Sequence, residues 1–152
     1  MRKFDGDSPI PLPHGWAPIE PPGHLPPAEF AALGPAGHGG IRPSAVLTRA
    51  ELDDQSFEEW TLASAEAARQ LIPSLFLIDR QPARLGGYPG VMQLSAFTLE
   101  GRNHTQQQFY CQLTAQSAAV LTLTCSSADF DRLTTVFGEL AEGFDPGWVS
   151  QP

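Results

Sequence analysis

At 152 residues and 16.4 kDa the chain is sized for one domain that can bury a core. Its net charge is −8, and Lys3 is the only lysine among nine basic residues, which excludes the cationic surface that nucleic acid or an anionic membrane demands. Hydrophobic residues make up 41%, with nine Phe and three Trp, which excludes a disordered chain.

Met1, Arg2 and Lys3 open the chain as a secretory leader opens, but FDGDSPIPLP follows, with acids and prolines where an apolar run would stand. Neither signal peptide nor membrane anchor is expected, and the expected location is cytoplasmic. Ten of the fifteen prolines precede position 44. Residues 1–43 therefore read as a Pro/Gly-rich region in which Ile10, Leu12 and Trp16 dock an edge strand, and GPAGHGG (34–40) reads as a flexible loop.

Ser44–Glu51 is the first strong strand. Ser56 and Glu59 have capping-box spacing, which predicts a helix to Leu71 with Phe57, Trp60, Ser64, Ala67, Ala68 and Leu71 on its stripe and Pro73 as its stop. A short strand is expected over 75–79, turns at 81–83 and in GGYPG (86–90), then strands over 91–99, 105–114 and 119–125. A last helix starts behind Ser126 and Ser127, buries Phe130, Leu133, Val136, Phe137 and Leu140, and ends at Gly143. The fold class is α+β: a curved antiparallel sheet with helices packed on it, in the order β-α-β-β-β-β-α. Residues 44–145 form the main body and 146–152 a tail of the same single domain.

Side chains alternate along a strand, so Phe109, Cys111, Leu113, Leu121, Leu123 and Cys125 share an apolar face that is expected to receive the helices. The opposite face carries Gln108, Tyr110, Gln112, Val120, Thr122 and Thr124, joined by Gln93, Ser95 and Phe97. Polar groups without charge suit a face that is partly covered or contacts a partner, and these nine residues are the candidate binding set.

Chemistry finds little purchase. No phosphate-binding glycine motif is present, and His14, His24, His38 and His104 are scattered in loops without metal-ligand spacing, so neither cofactor nor metal is expected. Cys111 and Cys125 point into the apolar face, where burial blunts a thiol, although equal parity leaves a cross-strand redox pair open. Asp53, Asp54, Glu58 and Glu59 gather at a helix start, where they cap and offset its dipole. Asn103-His104-Thr105 matches a glycosylation sequon but reads as turn chemistry. No enzymatic activity is expected.

LPHGW (12–16), SAVLTRAELDDQSFEEW, LGGYPGVMQLSAF and AAVLTLTCSS, in this order across residues 8–145, resemble bacterial PsbP-like and DcrB-like domains. Within that group, SAVLTR, IPSLFL, LEGRNHTQQQFYCQL and AAVLTLT resemble the effector-associated (Eag) chaperones of type VI secretion, whereas SADFDRLTTVFGELAEGF is closer to the actinobacterial LpqN-like proteins. The resemblance implies an α/β sandwich with no catalytic centre. In the Eag branch it implies a cytoplasmic chaperone or adaptor whose sheet shelters apolar helices of a secreted or membrane-active effector, with a homodimer compatible. The alternative is a structural or regulatory protein-binding module like LpqN or the Ran-binding import factor of this fold.

Overall fold

Alternation along long strands decides the architecture. The computed structural model describes residues 8–21 and 28–148; the opening stretch with Lys3, and His24, lie outside them. The elements run β1 (Ala17–Ile19), β2 (Phe30–Leu33), β3 (Ser44–Glu51), α1 (Phe57–Leu71), β4 (Phe76–Leu85), β5 (Tyr88–Leu99), β6 (Arg102–Gln112), β7 (Ser117–Ser126) and α2 (Phe130–Glu142). They build one seven-stranded antiparallel sheet ordered β1-β2-β3-β7-β6-β5-β4.

The expected α+β class and sequence order hold, with β1 and β2 added from the proline-rich region at one sheet edge. The 81–83 turn does not form. β4 runs straight through Pro82, which an edge strand tolerates because the missing N–H is not needed by a neighbour. The hairpin turn is instead confined to Gly86 and Gly87, whose φ of 60° and 86° match a two-residue loop compatible with strand twist. Glu100 and Gly101, at 53° and 78°, turn β5 into β6 in the same way.

α1 starts as expected: the Ser56 hydroxyl accepts from Glu59 N at 3.1 Å, and the Glu59 carboxylate accepts from Ser56 N at 2.8 Å. Its buried stripe is shorter than expected. Thr61 is fully buried and Leu71 is 77% exposed, because Ile72 and Leu75 beyond the helix end turn inward instead.

α2 closes the apolar face. Leu133, Phe137, Leu140 and Ala141 lie on one stripe of α2 and join a core with Leu47, Met92, Phe109, Leu121 and Leu123. Two helices cannot cover seven strands, and both chain ends fill the gap. Ile10 is fully buried, and Asp145 N donates to Pro9 O at 2.7 Å. Trp148 meets Phe30 edge-on at 5.8 Å, and the Arg49 guanidinium donates to Trp148 O at 2.7 Å while pairing with Glu29. The segment read as a tail thus contributes to the core through Trp148, and residues 149–152 lie outside the described residues.

Replacing Phe137, which is fully buried, with Ala is expected to cost about 3–5 kcal/mol in urea unfolding. Leu71→Ala, on the stripe expected from sequence, is expected to stay within about 0.5 kcal/mol of the parent.

Candidate functional site

The register brings the candidate binding residues onto one face. Gln93 lies opposite Gln108, which lies opposite Thr122; Tyr110 lies opposite Val120; Ser95 pairs with Gln106 and Phe97 with His104. This is the face that parity implied, but it is not bare. The helices were both expected on the apolar side, and α1 instead packs on the polar one. Trp60 meets the Tyr110 ring edge-on at 5.5 Å, while Ala65 and Ala68 lie over Gln93, Ser95 and Gln108 around a residual void of about 10 Å³. Gln93, Ser95, Phe97 and Tyr110 are consequently buried. Gln108, Val120, Thr122 and Thr124 are half-buried, and Gln112 is exposed.

Polar side chains survive beneath a helix only if they satisfy one another. Here they do so through a chain of hydrogen bonds across four strands. The Arg80 guanidinium donates from Nη2 to Thr61 Oγ1 at 2.7 Å and from Nη1 to Gln93 Oε1. Gln93 Nε2 donates to Tyr110 Oη at 3.2 Å, Tyr110 Oη to Gln108 Oε1 at 3.1 Å, and Gln108 Nε2 to Thr122 Oγ1 at 3.2 Å. Gln106 Nε2 repeats the last step onto Thr124 Oγ1 at 3.2 Å. Burial pushes the Tyr110 hydroxyl up to about 12, against the smaller opposing effects of Arg80 and the Gln93 hydrogen bond. It is a donor and acceptor at neutral pH, not a base. Phe97 meanwhile stacks flat on the His104 ring, with centroids 4.9 Å apart.

The thiols are not partners. The β6–β7 turn is centred on Ala115, so Cys111 faces Ala119 and Cys125 faces Thr105. That separation of six residues along the ladder amounts to about 20 Å. Burial is the main cause lifting each thiol to about 11, with the Asp129 charge adding to the rise at Cys125.

A second polar cluster escaped the sequence. Asp129, 2% exposed at the start of α2, accepts from His38 N at 3.0 Å and Gly39 N at 3.3 Å, and pairs with Arg132 at 3.5 Å. The loop read as flexible is therefore pinned. Gly39 is required there, since a Cβ would collide with the Ser126 hydroxyl. Burial raises the Asp129 carboxyl, but the two amides and Arg132 outweigh it and leave it below the usual carboxylate range. Among the described residues no cluster of His, Cys, Asp or Glu could hold a metal, and no helix is long and apolar enough to cross a membrane.

No known family profile matches the chain, and no curated protein sequence does. Solved structures do match. LpqN of Mycobacterium tuberculosis, involved in cell envelope biogenesis, superposes with a TM-score of 0.67 at 16% identity, over 94% of this chain and 86% of that one. PA94 of Pseudomonas aeruginosa, a protein of unknown function described as a candidate regulator, gives 0.64 at 21% identity over 80% and 82%. Cyanobacterial PsbP from Synechocystis sp. PCC 6803 gives 0.61 at 11% identity over 89% and 84%. The fold is PsbP-like. At these identities the likeness concerns the fold alone, and the side chains on the PsbP-like sheet must speak for themselves.

Tyr110→Phe keeps the ring against Trp60 but strands Gln93 and Gln108, and is expected to cost about 1–3 kcal/mol in chemical unfolding. Gln112→Ala, exposed on the same face, is expected to be neutral within about 0.5 kcal/mol. Asp129 has its folded pKa lowered, so its contribution is present above the unfolded pKa of about 3.9 and lost as pH falls through the folded value. The stability gap between parent and Asp129→Asn, measured by thermal unfolding, is expected to be largest at neutral pH and to shrink below about pH 4.

Proposed function

We propose that this protein is a non-enzymatic binding module, a cytoplasmic chaperone or adaptor that shelters apolar helices of a secreted or membrane-active partner. One observation carries the reading. Leu71, Phe76, Leu77, Ile78 and Leu99 stand 40–77% exposed around the end of α1, the start of β4 and the end of β5. The Ser74 hydroxyl, bonded to Thr98 N and O at 2.9 Å, holds these segments together. Single exposed apolar residues are ordinary, but a cluster of them at one corner marks an interaction surface.

The uncovered part of the polar face supplies the second contact. Val46 lies opposite Thr122 and Thr48 opposite Val120, all half-exposed, and Gln112 extends the row. Hydroxyl and amide groups bond a partner's polar atoms while the valines meet its apolar ones. Gln93, Ser95, Phe97 and Tyr110 support this surface from beneath α1 rather than touching a partner while the helix is in place.

A second reading, an envelope-associated structural or regulatory module, is favoured by the superposition on LpqN. Fractionation of the native gene product separates the two: recovery in the envelope supports the second reading and removes the first.

Capture from the native host tests the first directly. The wild-type chain is expected to retain a partner rich in apolar helices, and Phe76→Ser with Leu77→Ser and Ile78→Ser is expected to lose it. Because all three side chains are exposed, unfolding stability should change by less than about 1 kcal/mol per site. Equal capture by wild-type and triple variant would refute the assignment of this surface.

A further inference from the structure

Arg80 lies beneath α1 with its charge unanswered. Its guanidinium acceptors, Thr61 Oγ1 and Gln93 Oε1, are both neutral. Among the described residues no carboxylate stands within ion-pair distance of it. Asp79, its neighbour in sequence, accepts instead from the Arg80 backbone amide at 2.9 Å. A guanidinium keeps its charge at any pH the fold survives and presents five N–H donors in a planar fork. Withdrawing such a group from water is unfavourable unless a counter-charge meets it.

The space for one is present. Arg80 borders a cavity of about 320 Å³ between the first turn of α1 and the β4–β5 hairpin. Phe57, Pro82 and Val91 give it apolar walls, Gly90 lies at its side, and the exposed Glu58 stands at its rim. β4 is the outermost strand, so the cavity lies at the sheet edge. Its size is at the lower end of ligand sites, and its make-up, apolar walls with Arg80, Glu58 and Gln81 as the few polar groups, is the usual one.

We propose that this cavity binds a carboxylate carried on a small apolar group, with Arg80 as the anchoring residue. The fork matches the two oxygens of a carboxylate, and the apolar walls both accommodate the attached group and strengthen the pairing by excluding water. Glu58 opposes any anion at the rim and so disfavours ligands with a second negative charge facing outward. The chemistry is offered by a free short-chain carboxylic acid and equally by the C-terminal residue of a peptide ending in an aliphatic side chain.

Titration of the full chain with isovalerate and its neutral isostere isovaleramide, and with N-acetyl-leucine and N-acetyl-leucinamide, tests the site. The readout is the NMR signal of the Arg80 Nε–H and of the Gln93 side-chain amide. Both carboxylates are expected to give saturable shifts and both amides none; tighter binding of N-acetyl-leucine assigns the peptide end as the source, tighter isovalerate the free acid. Arg80→Gln is expected to weaken binding at least about tenfold, the loss of one charge-assisted pair. Arg80→Lys, which keeps the charge and loses the fork, should fall between, and Glu58→Gln should bind more tightly than the parent. Equal shifts from acid and amide, no saturation, or undiminished binding by folded Arg80→Gln would overturn the proposal. Should Arg80→Gln fail to fold, the acid–amide comparison on the wild-type chain decides alone.

Discussion

A seven-stranded sheet has two faces to close, and the described residues bring only two α-helices to the task. Much of the remaining structure answers that shortage. α2 closes the apolar face over β4, β7 and β6, and the peripheral segments around Ile10, Phe144 and Trp148 complete the cover. The opposite face has α1 alone. There the strands carry mostly amides, hydroxyls and a guanidinium, so the part α1 leaves open meets water with only Val46 and Val120 half-exposed among the polar groups.

α1 therefore rests on a different footing from α2. Four core residues anchor α2, whereas only Thr61 of α1 is fully withdrawn from water, and that threonine is a hydrogen-bond acceptor for Arg80. The chain of donors from Arg80 to Thr122 compensates for the weak apolar grip and orients Gln93, Tyr110 and Gln108 under the helix. Among the described residues the same arrangement leaves the Arg80 charge without an ion-pair partner, with one small cavity beside it. Stability and a candidate ligand site arise here from one set of residues.

Local patterns were legible in the sequence and long-range choices were not. Ser56 and Glu59 announce α1 because a capping box is complete within four residues. The α2 stripe and the parity of β5, β6 and β7 are equally local. At the β6–β7 turn the Thr114 and Ser117 hydroxyls meet at 2.7 Å, and the register set there separates two cysteines whose pairing parity alone left open. β1 and β2 are too short to show a period, and they exist because β3 offers them an edge. The polar face that α1 covers includes Arg80, which bonds Thr61 of α1 from a stretch of β4 that reads as strand end and turn. The clasp of Asp129 on His38 and Gly39 spans some ninety positions and left no mark in either segment.

The outer strand β4 carries features that work against pairing with a second copy of itself. A free edge beginning Phe76-Leu77-Ile78 is the kind of template on which copies of a chain stack into fibrils. Three obstacles are built into it. The register slips between Leu77 and Asp79, so Ile78 has no partner and the edge bends. Pro82 removes a donor farther along, and a net charge of −8 makes copies repel one another. Of these only the repulsion is screened by salt, so ionic strength is the lever that would bring naked edges together. Colloidal behaviour thus becomes a property of one strand: its apolar start can remain available to a partner because geometry and charge make it a poor match for itself.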